Sequence, residues 1–104
     1  MLNTIKKLLG LEPQADFYNL IRNGAVIIDV RTESEYAAGH IKQSANIPLQ
    51  KLPAQFEKLD KNKTIITCCA SGIRSGSAKS LLLSNGFCEV HNAGSWANLR
   101  KYTN

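Results

Sequence analysis

The sequence contains no long apolar run. A transmembrane helix needs about 20 consecutive apolar residues, and the apolar stretches of this 104-residue chain are far shorter. The first segment, MLNTIKKLLGL, has two lysines, but its apolar stretch is too short for a signal peptide and it has no small-residue cleavage site. We therefore expect no transmembrane segment, and we predict a cytoplasmic location.

Cysteine is also scarce. The three cysteines are an odd number and Cys68 and Cys69 are adjacent, so the sequence indicates no disulfide framework. This fits a reducing compartment, although a reactive thiol could also work in an envelope space. Cys88 and His91 have a spacing found in metal ligands, but on a strand they would point to opposite faces. We expect no metal and no other cofactor.

Charge of one sign is not concentrated anywhere. Thirteen lysines and arginines against eight acidic residues give a net charge of +5, and the basic residues are dispersed along the chain. A nucleic-acid surface more often shows a dense basic stripe with interleaved aromatic residues. The distribution is typical of a solvated surface and predicts no nucleic-acid partner, although its field would still attract small anions.

The sequence does contain an alternation of helical and strand patterns. Apolar residues at helical spacing predict a short amphipathic helix in residues 1–12, which packs on a domain formed by residues 13–104 or, alternatively, contacts a membrane surface. The domain is predicted to be a single α/β unit with a mostly parallel central sheet flanked by helices on both faces. Predicted strands cover residues 25–30, 44–48, 63–68 and 87–93, and predicted helices cover residues 13–24, 32–40, 49–60, 75–86 and 94–102.

Polar residues follow two of the predicted strands, as DVR after the first long strand and CCASGIRS after the strand that begins at Lys63. Ligands of open parallel sheets bind beyond the carboxyl ends of strands. A cysteine between such a strand and a helix faces backbone N–H groups that favour the thiolate. Gly72 lets the loop turn so that these groups point inward. Arg74 adds a forked cationic donor, and Ser75 is expected to cap the helix or donate to the thiolate.

The three cysteines have different expected roles. Alternation along IITCC indicates that Cys68 is a strand residue packed against a helix, whereas Cys69 begins the glycine-containing turn. Cys69 is therefore the better nucleophile. Cys88, in the middle of an apolar strand, is expected to be a buried small hydrophobic residue. On the following helix, Ala78, Leu81 and Leu82 are expected to face the sheet.

Three segments resemble the rhodanese family. CASGIRS, residues 69–75, resembles the active-site loop C-x-x-G-x-R-S, and DVRTESEYAAGHIKQSANIP resembles the family pattern D-V-R-x-x-x-E-[FY]-x-x-G-H-I-x-x-[SA]-x-N-I-P. NGFCEVHNAGSW resembles the segment before the last helix of the family, but Ala93 replaces a usual glycine and Trp96 follows Gly94 after one residue. The resemblance covers residues 13–101 and implies a single-domain rhodanese.

The resemblance implies sulfur transfer. The Cys69 thiolate would take the sulfane sulfur of thiosulfate or a similar donor, and a thiol, cyanide, or a thioredoxin-like or other sulfur-accepting protein would remove it. Arg74 would stabilise the loop and the anionic donor, with Asp29 and Arg31 in a supporting role as an ion pair or hydrogen-bond brace. The loop lacks the extra basic residue that often follows this cysteine in the family, so we expect a low affinity for thiosulfate. The substrate loop would comprise Ala70, Ser71, Gly72, Ile73 and Ser75.

Two other functions remain open from the sequence. A phosphatase or arsenate reductase of the same fold would use Cys68 and Arg74 in a loop one residue longer, but Thr67 stands where tyrosine-phosphatase-type loops usually have histidine. A non-catalytic rhodanese-like module would bind a partner or carry sulfur to it, although inactive copies often lack the loop cysteine.

Three more residues are expected to be structural. Glu35 is predicted to be the capping-box partner of Thr32. His40 is predicted to be a hydrogen-bonding residue rather than a general base, and Trp96 a core residue with contact to the substrate as the alternative.

Overall fold

Four parallel strands form the centre of the fold in the computed structural model, which describes residues 15–103. The predicted helix in residues 1–12 lies outside the described residues. The strand order is β2-β1-β3-β4 and each neighbouring pair is parallel, which confirms the predicted α/β sheet. The strands are β1 (Val26–Asp29), β2 (Ala45–Asn46), β3 (Thr64–Cys69) and β4 (Glu89–Ser95).

Residues 15–103 also contain three α-helices and three 3₁₀ helices, of which the first α-helix precedes β1 and the last 3₁₀ helix follows β4. The α-helices are α1 (Phe17–Arg22), α2 (Glu33–Ala38) and α3 (Ile73–Ser84). The 3₁₀ helices cover Leu49–Lys51, Pro53–Lys58 and Trp96–Tyr102. Thr32 caps α2 in a capping box with Glu35, as predicted.

The helical stretch predicted over residues 49–60 is present, but it is divided into two 3₁₀ helices rather than one continuous helix. Pro53 has no N–H to donate to an earlier carbonyl, so a regular α-helix cannot run through this position. The amides of Leu52 and Gln55 bond instead to the carbonyls of Leu49 and Leu52, three residues back, at 3.2 and 2.9 Å. The last helix is likewise 3₁₀.

The sheet has an apolar core on each face because neighbouring strand residues point in opposite directions. One face packs against α3 and the 3₁₀ helices between β2 and β3, and its buried residues include Ile28, Ile65, Cys69, Ala78 and Leu82. The other face packs against α1 and the last 3₁₀ helix, and its buried residues include Ile27, Ile66, Cys68 and Leu99. Cys68 and Cys69 therefore belong to different cores.

Two predicted burials were wrong. On α3, the residues that face the sheet are Ser75, Ala78 and Leu82, spaced three and four residues apart, whereas Leu81 lies to one side of this stripe and is 37% exposed. Cys88 is exposed because β4 begins one residue later, and Cys88 lies in the preceding turn, where its N–H donates to the Lys61 carbonyl at 3.0 Å.

Candidate active site

Cys69 is the last residue of β3 rather than the first residue of the turn. Thr67 pairs with Asn92 and Cys69 pairs with Ser95, so β4 has one more residue than β3 between these pairs. This bulge contains Gly94, whose φ is 79°. Bulges of this kind bend a strand and redirect its side chains, and here the bulge brings β4 over the cysteine loop.

The sulfur of Cys69 is fully buried, and two N–H groups and one hydroxyl lie within 3.0–3.4 Å of it. The N–H groups of Gly72 and Ser75 donate to Sγ at 3.0 and 3.4 Å, and the Ser75 hydroxyl oxygen lies 3.3 Å from it. Burial raises the pKa of the Cys69 thiol. Hydrogen bonds from the Ser75 hydroxyl and from the N–H groups of Ser75, Gly72 and Ser71 outweigh burial, so the pKa is lowered from its ordinary value of 9.0.

Gly72 shapes the loop through its backbone. It precedes α3 with a φ of 109°, in the left-handed region that favours glycine, and a β-carbon there would lie 3.2 Å from the Cα of Gly94. Helix α3 begins at Ile73, two residues earlier than predicted. Ser75 therefore lies within its first turn, buried against β3, and it contacts Cys69 instead of capping the helix.

The outer part of the loop is uncharged. Ala70 and Ser71 are exposed, and Ile73 is 79% exposed although it is a large apolar residue. These three side chains face solvent rather than the apolar core. A molecule that approaches the loop from solvent would meet them first.

Arg74 is half-buried and pairs with Glu35 through both terminal nitrogens, at 2.7 and 3.0 Å. Glu35 therefore has two functions, because its carboxylate also accepts the Thr32 N–H of the capping box at 3.1 Å. The bond from Arg74, followed by that from Thr32, lowers the pKa of Glu35 to about 2. This pair connects the start of α2 to the start of α3 beside the cysteine loop.

Asp29 and Arg31 form a buried brace at the end of β1. The Arg31 guanidinium donates to both Asp29 carboxylate oxygens, with a shortest distance of 2.8 Å, and to the Gly39 carbonyl at 2.7 Å. The Trp96 ring lies 4.8 Å from the guanidinium carbon, which places this tryptophan against the brace. His40 stacks on Tyr36 with ring centroids 3.7 Å apart. These contacts connect β1, the segment after α2 and the last 3₁₀ helix.

Cys68 has a different environment from Cys69. It is fully buried on the opposite face of the sheet, and burial, followed by the negative charge of Asp29, raises the pKa of its thiol. A thiol with a raised pKa is a poor nucleophile. The alternative that uses Cys68 in a longer oxyanion loop therefore receives no support from this geometry.

Asn92 also contributes to the site, although it was not among the residues predicted from the sequence. It lies on β4, is 4% exposed, and its amide contacts both Gly72 and Ser75. A signal was present, because Asn92 falls two residues after the apolar Val90 and so occupies a core-facing position near the carboxyl end of the strand. A polar side chain at such a position has to find partners in the interior.

Residues 15–103 contain no group of three or more His, Cys, Asp or Glu side chains arranged to hold a metal ion. His91 is instead bonded to Glu89, with Nε2 2.6 Å from the carboxylate. No helix within the same range is both long and apolar enough to span a bilayer.

The protein is therefore a parallel α/β domain in which a cysteine lies among N–H donors at the carboxyl edge of the sheet. A family model for the Rhodanese-like domain matches residues 13–101. The chain belongs to this family.

Named relatives agree with this assignment. The thiosulfate sulfurtransferase PspE of Escherichia coli (strain K12) is 38% identical over 69 residues, which cover 64% of this chain and 66% of PspE. The thiosulfate sulfurtransferase GlpE of Stutzerimonas stutzeri (strain A1501) is 34% identical over 80 residues, which cover 77% of this chain and 73% of GlpE. An uncharacterized relative, YqhL of Bacillus subtilis (strain 168), is 37% identical over 68 residues, but these cover only 54% of YqhL.

Solved structures share the same fold. The human single-domain sulfurtransferase TSTD1 superposes with a TM-score of 0.75 at 25% identity, covering 86% of this chain and 96% of that one. A rhodanese from Escherichia coli, determined with anions, superposes with a TM-score of 0.69 at 33% identity and covers 74% of this chain. The relatives support a sulfurtransferase at the level of the family.

Proposed function

We propose that the protein is a thiosulfate sulfurtransferase that carries sulfane sulfur as a persulfide on Cys69. The observation that supports this function is the environment of the Cys69 sulfur, which has two N–H donors and one hydroxyl within 3.0–3.4 Å. Such donors stabilise negative charge on sulfur before the reaction, as a thiolate, and after it, as a persulfide anion. Arg74 would hold the loop in place through Glu35.

In the first half-reaction the Cys69 thiolate attacks the outer, sulfane sulfur of thiosulfate. A sulfur–sulfur bond forms between Sγ and this atom, while the bond to the sulfonate sulfur breaks and its electron pair leaves with sulfite. The thiolate and the thiosulfate dianion become a persulfide anion and a sulfite dianion, so charge is conserved. No proton has to move, and the mechanism requires no general base.

In the second half-reaction a thiophilic acceptor removes the outer sulfur. Cyanide would leave as thiocyanate, and a thiolate would leave as a persulfide, while Cys69 returns to the thiolate. The acceptor in the cell would be a small thiol or a thioredoxin-like or other sulfur-accepting protein. A reducing compartment such as the cytoplasm would keep Cys69 available for the next cycle.

Thiosulfate is expected to bind weakly. Arg31 is paired with Asp29 and Arg74 with Glu35, so each of these cations is already neutralised by a carboxylate. Ala70, Ser71 and Ile73 add no charge at the solvent side of the loop. A dianion therefore gains little Coulomb energy when it approaches Cys69, and we expect a Michaelis constant for thiosulfate that is not far below millimolar.

The test is a mass measurement on reduced protein incubated with thiosulfate. Wild type and Cys68→Ser should gain the mass of one sulfur atom, Cys69→Ser should gain none, and cyanide should remove the added mass. A gain that disappears only in Cys68→Ser would contradict the assignment of Cys69. No gain in any of the three proteins would overturn thiosulfate as the donor.

A further inference from the structure

The side-chain amide of Asn92 is connected to both parts of the cysteine loop. Its Nδ2 donates to the Gly72 carbonyl at 3.1 Å, and its Oδ1 accepts from the Ser75 hydroxyl at 2.6 Å. Gly72 and Ser75 both have N–H groups that donate to the Cys69 sulfur, at 3.0 and 3.4 Å. A single buried side chain on β4 therefore contacts both of these donor residues.

The orientation of the Asn92 amide follows from its backbone neighbours. Oδ1 accepts a second hydrogen bond, from the Gly94 N–H at 2.9 Å, and a carbonyl oxygen has lone pairs for two donors. The Gly72 carbonyl can only accept, so the amide nitrogen must face it. An amide flipped by half a turn would place two acceptors against each other at the Gly72 carbonyl and two donors against each other at the Gly94 N–H, and only the Ser75 hydroxyl, which can also accept, would keep a hydrogen bond.

We propose that Asn92 is a positioning residue that keeps the donors of the cysteine loop directed at the Cys69 sulfur. The bond to the Gly72 carbonyl holds the loop backbone, and the bond to the Ser75 hydroxyl holds the serine side chain 3.3 Å from Sγ. Asn92 does not touch Sγ through any described hydrogen bond, so it acts through Gly72 and Ser75.

The β4 bulge is what makes this arrangement possible. The Gly94 N–H, within the bulge, shares Oδ1 with the Ser75 hydroxyl. When Cys69 ionises, the Ser75 hydroxyl proton can therefore turn toward Sγ, and Oδ1 of Asn92 still accepts the hydrogen bond from the Gly94 N–H. Thr67, on β3, also holds Ser75 in place, because the Thr67 hydroxyl donates to the Ser75 carbonyl at 2.9 Å.

The test measures the ionisation of Cys69 directly, through the ultraviolet absorbance of the thiolate as a function of pH and through the rate of alkylation. A Cys68→Ala, Cys88→Ser background leaves Cys69 as the only thiol in the chain. In this background Asn92→Ala should raise the pKa of Cys69, because burial continues to disfavour the thiolate while its donors are no longer held in place. A rise of one unit makes alkylation about tenfold slower at a pH below the pKa.

Asn98→Ala is the matched control. Asn98 also bonds to the β4 segment through its amide, at 3.0 Å to the Ala93 carbonyl, but it has no described hydrogen bond to Gly72 or Ser75. It should lower stability without a shift in the Cys69 titration. Ser75→Ala, which removes one donor and leaves the Gly72 anchor, should raise the pKa less than Asn92→Ala.

A folded Asn92→Ala protein whose Cys69 pKa is unchanged or lowered would overturn the proposal, because Asn92 would then be purely structural or would compete with the thiolate for the Ser75 proton. If Asn92→Ala does not fold, Asn92→Ser replaces it with the same expected direction, because the shorter side chain cannot reach both partners. Neither measurement uses a sulfur donor, so the outcome is independent of whether thiosulfate is the substrate.

Discussion

Gly72 is held in a backbone conformation that other residues rarely adopt, and it is also in close contact with β4. Its φ is 109°, and a β-carbon added to it would lie 3.2 Å from the Gly94 Cα, which is a backbone atom and has little room to move. Two effects should therefore destabilise Gly72→Ala: left-handed backbone strain of about 1–2 kcal/mol and crowding against Gly94 of about 1–3 kcal/mol. The expected loss in the free energy of unfolding is about 2–5 kcal/mol.

Gly24 provides a control that separates the two effects. Its φ of 96° is similar, but a β-carbon there would meet nothing within 4 Å. Gly24→Ala should therefore lower the free energy of unfolding only by the left-handed strain, about 1–2 kcal/mol. Any gain from a less flexible unfolded chain is the same for both substitutions and cancels in the comparison.

The assay is urea unfolding of both variants, followed by thiosulfate-dependent mass gain for whichever remains folded. Gly72→Ala should be less stable than Gly24→Ala by the crowding contribution, and it should form the Cys69 persulfide more slowly because the Gly72 N–H is displaced from Sγ. Gly24→Ala should retain wild-type persulfide formation. Equal losses of stability in the two variants would refute the close approach of Gly72 to Gly94.

Other substitutions test the charges and the second cysteine. Because its pKa is lowered to about 2, Glu35 stabilises the fold above its ordinary pKa of 4.5, and this contribution is lost as the pH falls toward 2. In a plot of the urea midpoint of unfolding against pH, Glu35→Gln should remove the fall between pH 4.5 and about 2. A plot identical to that of the wild type would contradict the pair with Arg74. Ala70→Arg adds a cation beside Cys69 and should lower the Michaelis constant for thiosulfate about tenfold at low ionic strength. The difference from the wild type should shrink as salt is added, and a difference that does not depend on salt would contradict an electrostatic cause. Cys68 should be alkylated much more slowly than Cys69 in the folded protein, because the pKa of its thiol is raised by burial and by Asp29, and it should react readily after denaturation. Alkylation of Cys68 at the same rate in both states would contradict the raised pKa.

The parts of the fold that could be predicted from sequence are those set by local patterns. The capping box of Thr32 and Glu35 depends on two residues three apart, and the structure contains it. Buried strands produce unbroken apolar runs because both faces of a parallel sheet are covered, so the strands could be placed to within a few residues. The opposite directions of Cys68 and Cys69 follow from strand alternation alone.

The parts that could not be predicted depend on contacts between distant segments. Glu35 pairs with Arg74 across 39 positions of sequence, and no local pattern indicates that one carboxylate caps a helix and also holds an arginine. Strand β4 begins at Glu89, after the predicted start, which leaves Cys88 exposed in the segment before it. The bulge that follows Asn92 contains Gly94, whose N–H donates to the Asn92 side chain. A bulge is a property of the pairing of two strands, so the sequence of either strand alone does not reveal it.

The Cys69 environment also explains why geometry should matter more than charge at this site. Burial raises the thiol pKa, and the opposing contributions are hydrogen bonds from Ser75, Gly72 and Ser71. Hydrogen bonds weaken as their distance and angle depart from the ideal, so moving these donors away from Sγ removes part of what opposes the effect of burial. The nearby cation of Arg74 is already neutralised by Glu35 and would compensate little. We therefore expect substitutions that move donors, at Gly72 and Asn92, to change the reactivity of Cys69 more than substitutions that alter surface charge.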